Sequence, residues 1–307
     1  MDGLHIGRGT TLTGEAVHRL TVASMQGREV LRNEIMVGIQ LAQTFPTFPP
    51  ELSRLVGFDA LDAPRLAVVS CAGELLSEER LRAMRSTDLR AAAESLLTAL
   101  TYLSEARIVH RAITPSRLYW NGTRLQLAGF GHAVRTLPPV HRANGPAIPP
   151  WTAPEQLRGE GAVSAADDLY SAAAILFWMF AGEMPGEAAE MAVRLELQSE
   201  DLRLRLAGMF AQPAEARPPL AEVRRRWHPP TVVGPRLPAV EERDRDAEAA
   251  FAALRRRQML DAHVGLVSGP MFGAGQPVSD PVGWWRLIAG GALLVVIVMM
   301  VIALAGR

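Results

Sequence analysis

The sequence contains no lysine, and all 32 of its basic residues are arginine. The planar guanidinium of arginine does not replace a compact ammonium group at a site tuned for one, so sites that need a lysine are excluded. The simplest source of this absence is the codon bias of a GC-rich genome. The arginines balance 32 acidic residues, and a net charge of zero argues against general nucleic-acid binding.

Cysteine is almost as scarce, since Cys71 is the only one in the sequence. A single cysteine excludes an internal disulfide, and Cys71 is expected to be a small buried apolar side chain. The amino terminus has no basic region followed by an apolar run, so no signal peptide is expected. With 49% apolar residues, a chain of 307 residues can form one or two domains with a substantial core.

The segment His110–Leu118 carries a family resemblance, because its sequence HRAITPSRL partly matches the pattern H-R-D-[LI]-K-P-x-N-[LI]. That pattern is the catalytic loop of eukaryotic-type protein kinases, which include bacterial serine/threonine kinases. The resemblance implies an α+β, two-lobed kinase-like fold over residues 1–226, with a small mostly-β amino-terminal lobe and a larger mostly-α carboxy-terminal lobe. Further segments resemble the family's signatures in the family's order: Thr13–Val17, Arg32–Ile35, Leu125–Gly131, Ala153–Glu155, Asp167–Ser171 and Ala216–Pro218.

The side chains that would perform the family's chemistry are replaced. Kinases use a lysine for the phosphates, an Asp and an Asn for magnesium, and another Asp to orient the attacking hydroxyl. The resemblance therefore implies a pseudokinase, catalytically inactive, with no cofactor and no metal. The replaced positions are Leu20 for the phosphate lysine, Ala112 for the base, Thr114 for the catalytic-loop lysine, and Arg117 and Gly129 for the magnesium ligands. Arg19, beside Leu20, is a poor substitute for the lysine because of its shape.

The residues with an architectural role in the family are retained. The resemblance implies a buried ion pair between Glu155 and Arg217, and it implies that Asp168 accepts hydrogen bonds from the backbone of the catalytic loop. The scaffold is therefore expected to persist without the chemistry. The other retained positions are Glu34, His110, Arg111, Phe130 and Gly131.

Two stretches depart from the family's pattern. Residues 1–12 have three glycines, Gly3, Gly7 and Gly9, but no G-x-G-x-x-G, which predicts a flexible segment in place of a phosphate-covering loop.

The second is the segment from residue 129 to residue 155, which is rich in proline and has two hydroxyl side chains, Thr136 and Thr152. We expect a stiff, extended segment rather than a phosphorylation switch, although in the family the arginine matching Arg111 receives a phosphate from this segment.

The stretch Leu287–Ala305 has 19 residues without a charged or strongly polar side chain. As a helix it would span about 28 Å, close to the hydrocarbon thickness of a bilayer. Trp284 and Trp285 suit the aromatic belt, and Arg286 suits a cytoplasmic flank. Residues 284–307 are therefore predicted to be a single-pass tail anchor that holds the domain at the cytoplasmic face of the cell membrane.

Residues 227–283 are predicted to be a linker, because their composition changes and proline becomes frequent. Within them, residues 239–263 have acidic residues early and arginines late, an order that suits a helix dipole. The short apolar stripe of this helix has two open interpretations: a partner or homodimer contact, and packing on the domain itself. The Gly/Pro-rich residues 264–283 predict a flexible tether.

Together these features predict a membrane-anchored pseudokinase that acts as a scaffold or regulatory binding module for unidentified proteins in bacterial envelope signalling or secretion. Two alternatives remain open. One is an atypical serine/threonine kinase or other transferase that uses the same inter-lobe cleft, and the other is a pseudokinase that binds nucleotide as a structural ligand. The number of carboxylates that line the cleft distinguishes an enzyme from a scaffold, because an enzyme of this type needs at least two carboxylates that converge on a metal site.

Overall fold

The computed structural model describes residues 3–59, 63–142 and 145–227. Its first part is an antiparallel four-stranded sheet in the order β1-β2-β4-β3. In this sheet Leu20 lies directly opposite Ala67 of the neighbouring strand. The four strands are β1 (Leu4–Thr10), β2 (Ala16–Val22), β3 (Arg54–Phe58) and β4 (Leu66–Ser70).

Strand β1 shows that the prediction of a flexible segment at residues 1–12 was wrong. Gly7 and Gly9 lie inside the strand and pair with residues of β2. The hairpin closes at Gly14, whose φ of 84° is a left-handed conformation that glycine adopts without strain. Hydrogen bonding along the whole length of β2 outweighs the low strand propensity of the two glycines.

Helix α1 (Met25–Thr44) follows the hairpin and packs on the sheet. It begins at Ser24, whose hydroxyl accepts the Gly27 N–H at 3.1 Å. Its apolar residues recur at intervals of four, so they form one face of the helix. That face and the sheet share a small core of Leu20, Leu31, Ile35, Ile39, Ala67 and Val69.

The second part of the described chain is mainly helical. Its central helix is buried at every position from Asp167 to Met179, as expected for a helix that is apolar on all sides. The helices are α2 (Glu78–Ala83), α3 (Ser86–Glu105), α4 (Pro154–Arg158), α5 (Ala165–Ala181), α6 (Met191–Glu196), α7 (Glu200–Leu206) and α8 (Leu220–Trp227). The last helix continues to Trp227, one residue past the predicted end of the domain.

Five short strands bring two loops side by side beneath the four-stranded sheet. Residues 110–117 join β6 to β7, and residues 128–133 join β8 to β9. The short strands form two small sheets, β5-β7-β8 and β6-β9. They are β5 (Glu74–Leu75), β6 (Ile108–Val109), β7 (Leu118–Trp120), β8 (Leu125–Leu127) and β9 (Val134–Arg135).

In the part of the chain that the structure describes, no helix is both long and apolar enough to cross a membrane. The predicted anchor at residues 284–307 lies outside the described residues. So do the rest of the linker, residues 228–283, and its predicted charged helix, residues 239–263.

Candidate functional site

The loop after β6 is fixed by Asp168, near the start of α5. The carboxylate of Asp168 accepts backbone N–H bonds from His110 at 2.6 Å and from Arg111 at 2.8 Å. The ring of His110 is buried, and its Nε2 lies 3.1 Å from the carbonyl oxygen of Ala128. Burial and the charge of Arg117 lower the pKa of His110 to about 3, so the ring is neutral at physiological pH. These contacts fix the backbone of the loop, and none of them depends on a catalytic side chain.

The loop presents small, uncharged side chains where the family has its base and its lysine. Ala112 is buried and presents only a methyl group. Thr114 is also buried, and its hydroxyl lies 2.8 Å from the hydroxyl of Ser116. A methyl group and a neutral hydroxyl pair cannot serve as a general base near neutral pH.

The replacements at the two magnesium positions fit each other. Arg117 donates from Nη1 to the carbonyl oxygen of Gly129 at 2.5 Å. A Cβ atom on Gly129 would lie 2.7 Å from the same Nη1, and the φ of Gly129 is 81°. The guanidinium therefore occupies the space that a side chain at position 129 would enter, and it puts a permanent positive charge at a position where the resemblance implies a cation ligand.

Glu34 of α1 and Leu20 of β2 line one cavity, although the family would pair a glutamate with a lysine there. Burial raises the pKa of Glu34 to about 7, and the nearby charge of Arg117 opposes that rise. Arg19 is exposed and does not line the cavity. Neighbouring residues of a strand point to opposite faces, which is why Arg19 does not substitute for the missing lysine.

The sequence analysis missed Asn33, which holds the turn after Gly129 together with Glu34. The Asn33 amide nitrogen lies 3.2, 3.1 and 2.7 Å from the carbonyl oxygens of Phe130, Gly131 and Ala133. Glu34 accepts backbone hydrogen bonds from the same turn. The partners are about a hundred positions apart, so no local sequence pattern marks this contact.

Glu34 should make the stability of the protein depend on pH. Its folded pKa lies above the ordinary value of 4.5, so the folded state keeps a proton that the unfolded state loses as the pH rises. The free energy of unfolding should therefore fall between about pH 4.5 and pH 7. The variant Glu34→Gln lacks this dependence, so relative to the native chain it should gain about 2 to 3 kcal/mol between pH 5 and pH 8. Urea unfolding at four pH values measures the gain.

The matched control for this experiment is Glu29→Gln, which removes a carboxylate from the exposed face of the same helix. Its unfolding free energy should follow the pH dependence of the native chain. Parallel curves for Glu34→Gln and the native chain would show that folding does not raise the pKa of Glu34. The charge that acts on Glu34 is that of Arg117, which stays constant in this comparison. The nearby thiol of Cys71 stays neutral, because burial raises its pKa to about 12.

A cavity of about 610 Å³ lies between the four-stranded sheet and the helical part, and we call it the cleft cavity. Of the described residues that line it, Glu34 alone is a carboxylate. The described ranges contain no group of three or more His, Cys, Asp or Glu residues that could hold a metal ion. A metal ion in this cavity would therefore have one carboxylate ligand available from the described lining.

Below the cleft, Glu155 and Arg217 form a two-pronged ion pair. Arg217 Nη1 and Nη2 lie 2.5 and 2.8 Å from the two carboxylate oxygens of Glu155. Arg217 also donates to the carbonyls of Ala166 and Ala211, and its guanidinium lies over the ring of Tyr170. Burial would raise the pKa of Glu155, but Arg217 outweighs it and the pKa is lowered. The pair ties α4 to the segment before α8.

A second buried ion pair, between Arg142 and Asp167, was not predicted. Arg142 Nη2 lies 2.7 Å from Asp167 Oδ1, and both side chains are at most 5% exposed. Arg142 also donates to the carbonyl of Glu160 at 2.7 Å. Arg142 sits in the proline-rich segment, where no family motif marks it, and Asp167 was read only as the neighbour of Asp168.

The hydroxyls of the proline-rich segment are engaged in its local structure. The Thr152 hydroxyl accepts the N–H of Ile148 at 2.9 Å, and the Thr136 hydroxyl donates to the Arg107 carbonyl at 3.3 Å. Arg111 donates from Nη2 to the carbonyl of Arg142 at 3.1 Å. Arg111 thus contacts the segment through a backbone carbonyl.

Comparison with known proteins adds a family match. The family model described as "Protein kinase domain" matches residues 66–223, just over half of the chain. Sperm motility kinase 3A and Sperm motility kinase 3B of Mus musculus are each 26% identical to the chain over 208 residues. These alignments cover 62% of the chain and 41% of each relative, so the chain spans about two fifths of the length of these curated relatives.

Proposed function

Because the chain belongs to the protein kinase domain family, we propose that it keeps the family's fold as a non-catalytic binding module and does not transfer phosphate. In the family, catalysis depends mainly on positioning and charge neutralisation by a lysine, two magnesium ligands and an aspartate that orients the hydroxyl. Each of these positions has a side chain of the wrong charge or no functional group in this chain. The fold would then serve to present surfaces to partner proteins.

The contact between Arg117 and Gly129 carries the proposal. A bound magnesium ion would meet the guanidinium of Arg117 at close range, and unlike charges are needed to hold a cation. The carbonyl oxygen of Gly129, which could have served as a neutral ligand, accepts the hydrogen bond of Arg117 instead. One arginine therefore repels the metal and covers an oxygen that could have bound it.

The contacts that support the fold also favour a non-catalytic binding module. Asp168 binds the loop backbone, and Glu155 and Arg217 form their buried pair. A chain that had lost selection on the whole domain would be expected to lose these costly buried charges as well. A fold retained without its chemistry is what a scaffold or regulatory subunit needs.

We further propose that residues 284–307 hold this module at the cytoplasmic face of the cell membrane, where it serves envelope signalling or secretion. The support is the composition of Leu287–Ala305, which lies outside the described residues. Cell fractionation tests the anchor: the full chain should sediment with membranes, and a chain that ends at Gly283 should remain in the soluble fraction. Sedimentation of the shortened chain with membranes would contradict it.

The absence of phosphoryl transfer is tested with the full chain, labelled ATP and either magnesium or manganese. Labelling of the chain itself or of a generic protein substrate should not exceed the labelling seen with the variant Glu34→Gln. Ala112→Asp should also remain silent, because a restored base still lacks its metal ligands. Labelling that disappears in Glu34→Gln would refute the proposed function.

The binding of nucleotide is tested in a separate experiment, by the effect of ATP on thermal stability. A ligand at 100 times its dissociation constant would stabilise the fold by about 2.7 kcal/mol. ATP with magnesium should give no such stabilisation in a thermal melt. A clear rise in the melting temperature that requires magnesium would mean that Arg117 and Gly129 still permit a metal site.

A further inference from the structure

The cleft cavity has the size of a small-molecule site. Its volume of about 610 Å³ falls within the range of pockets that bury a drug-sized ligand. Its walls come from both parts of the fold, the four-stranded sheet above and the loops and α5 below. A molecule of this size would therefore be enclosed between two independently packed surfaces.

The walls of the cavity are chiefly apolar. Leu4, Ile6 and Leu20 line it on the side of the sheet. On the opposite side lie Trp151 and Trp178, whose rings meet edge to face with their centres 5.8 Å apart. Both rings are more than nine-tenths buried in the core, so they give the cavity a firmly packed apolar wall of small exposed area.

The charges of the lining side chains do not favour the binding of a phosphate group. The two charged lining side chains have opposite signs, Glu34 and Arg117, and Arg117 donates to the Gly129 carbonyl. His18 also lines the cavity, and burial followed by the charge of Arg8 lowers its pKa, which favours the neutral ring. Arg117 is the one cation among the described lining residues, so a triphosphate would find at most one positive charge to balance its own.

The polar groups that remain are hydroxyls. Thr114 and Ser116 lie on one wall as a hydrogen-bonded pair, 2.8 Å apart, and Ser77 and Tyr119 add two further hydroxyls to the lining. A few convergent hydroxyls in an apolar cavity fix the orientation of a ligand by one or two hydrogen bonds. An extended polypeptide would need partners for its backbone groups along its whole length, which these few hydroxyls do not supply.

We propose that the cleft cavity binds a neutral, largely apolar small molecule without a metal ion, with Thr114 and Ser116 as its hydrogen-bonding contacts. The inference rests on the proposed loss of phosphoryl transfer, because a catalytic member of the family would hold a metal-bound triphosphate in this cleft. A ligand bound between the sheet and the helical part would contact both walls, so its affinity would depend on their relative position.

The experiment uses the full chain in detergent and the neutral fluorophore N-phenyl-1-naphthylamine, whose emission rises in apolar surroundings. The probe should bind saturably. Filling the cavity from opposite walls, with Leu20→Phe and Ile148→Phe, should weaken binding at least about tenfold. Leu197→Phe is the matched control, since Leu197 is 80% exposed and does not line the cavity. It should bind the probe like the native chain.

Thermal melts of all four chains establish that each is folded, and the use of two filling variants keeps the test valid if one of them is not. Equal binding by the native chain, the filling variants and the control would mean that the probe reports the detergent, and the inference would be wrong. Absence of saturable binding would also reject it while leaving the proposed loss of catalysis intact. Displacement of the probe by ATP only when magnesium is present would instead reject the proposed function.

Discussion

Replacement of Arg217 by alanine should cost about 3 to 5 kcal/mol of the free energy of unfolding. The substitution leaves the carboxylate of Glu155 buried without the two nitrogens that lie 2.5 and 2.8 Å from its oxygens. It also removes donors from the carbonyls of Ala166 and Ala211. A domain is held together by roughly 5 to 15 kcal/mol, so a loss of this size would unfold a large fraction of the protein at moderate urea concentrations. Equilibrium urea unfolding measures the loss.

Arg158→Ala is the matched control for this experiment. Arg158 also pairs with a glutamate, Glu160, at 2.7 Å, but the two side chains are 50% and 62% exposed. An exposed pair typically contributes about 1 kcal/mol or less, so the control should unfold near the native midpoint. Thr114→Ala, at the position that matches the family's catalytic-loop lysine, should likewise change stability by less than about 1 kcal/mol. Equal losses in Arg217→Ala and Arg158→Ala would contradict the structural role of the buried pair.

Arg142→Ala should be nearly as damaging, with an expected loss of about 3 to 5 kcal/mol. Asp167 is buried, and Arg142 supplies the donor 2.7 Å from its Oδ1. The same arginine holds the carbonyl of Glu160, so its loss should also loosen the proline-rich segment from α5. Thermolysin should therefore cut the variant between residues 136 and 153 under conditions in which the native chain stays intact there.

The control for Arg142 is Arg194→Ala, which breaks a partly exposed pair between Arg194 of α6 and Glu190, the residue before that helix. It should leave both the urea midpoint and the cleavage pattern unchanged. If Arg142→Ala lost stability but gained no cleavage in the segment, the ion pair would support the core without holding the segment. If neither property changed, the variant would not leave Asp167 as a buried unpaired charge, and the structural role of the pair would be wrong.

The sequence predicts the parts of this structure that depend on short motifs. The loop at residues 110–118 and its anchor Asp168 belong to such motifs, as does the pair of Glu155 and Arg217. Each motif fixes the local backbone, and the family resemblance supplies the long-range partner. The helix that carries Glu34 was also expected, because its match lies within one continuous run of residues.

The parts that the sequence did not reveal depend on contacts between distant residues. Asn33 bonds to carbonyls about a hundred positions away, and Arg142 finds Asp167 across 25 positions. Neither contact changes the hydrophobic period or the turn residues that sequence reasoning can read. Strand β1 was missed for a related reason, since its pairing with β2 outweighs a local preference of glycine for irregular structure.

The fit between Arg117 and Gly129 has an evolutionary consequence. An aspartate restored at position 129 would push the guanidinium away from the carbonyl it binds, and would have to adopt a positive φ. An asparagine restored at position 117 would face a glycine that has no carboxylate to share a metal with. Each reversion alone therefore brings no catalytic benefit, and the first also brings strain. A stepwise change would pass through a chain with only one new metal ligand, so the mutual fit of Arg117 and Gly129 is expected to make a metal site hard to evolve here.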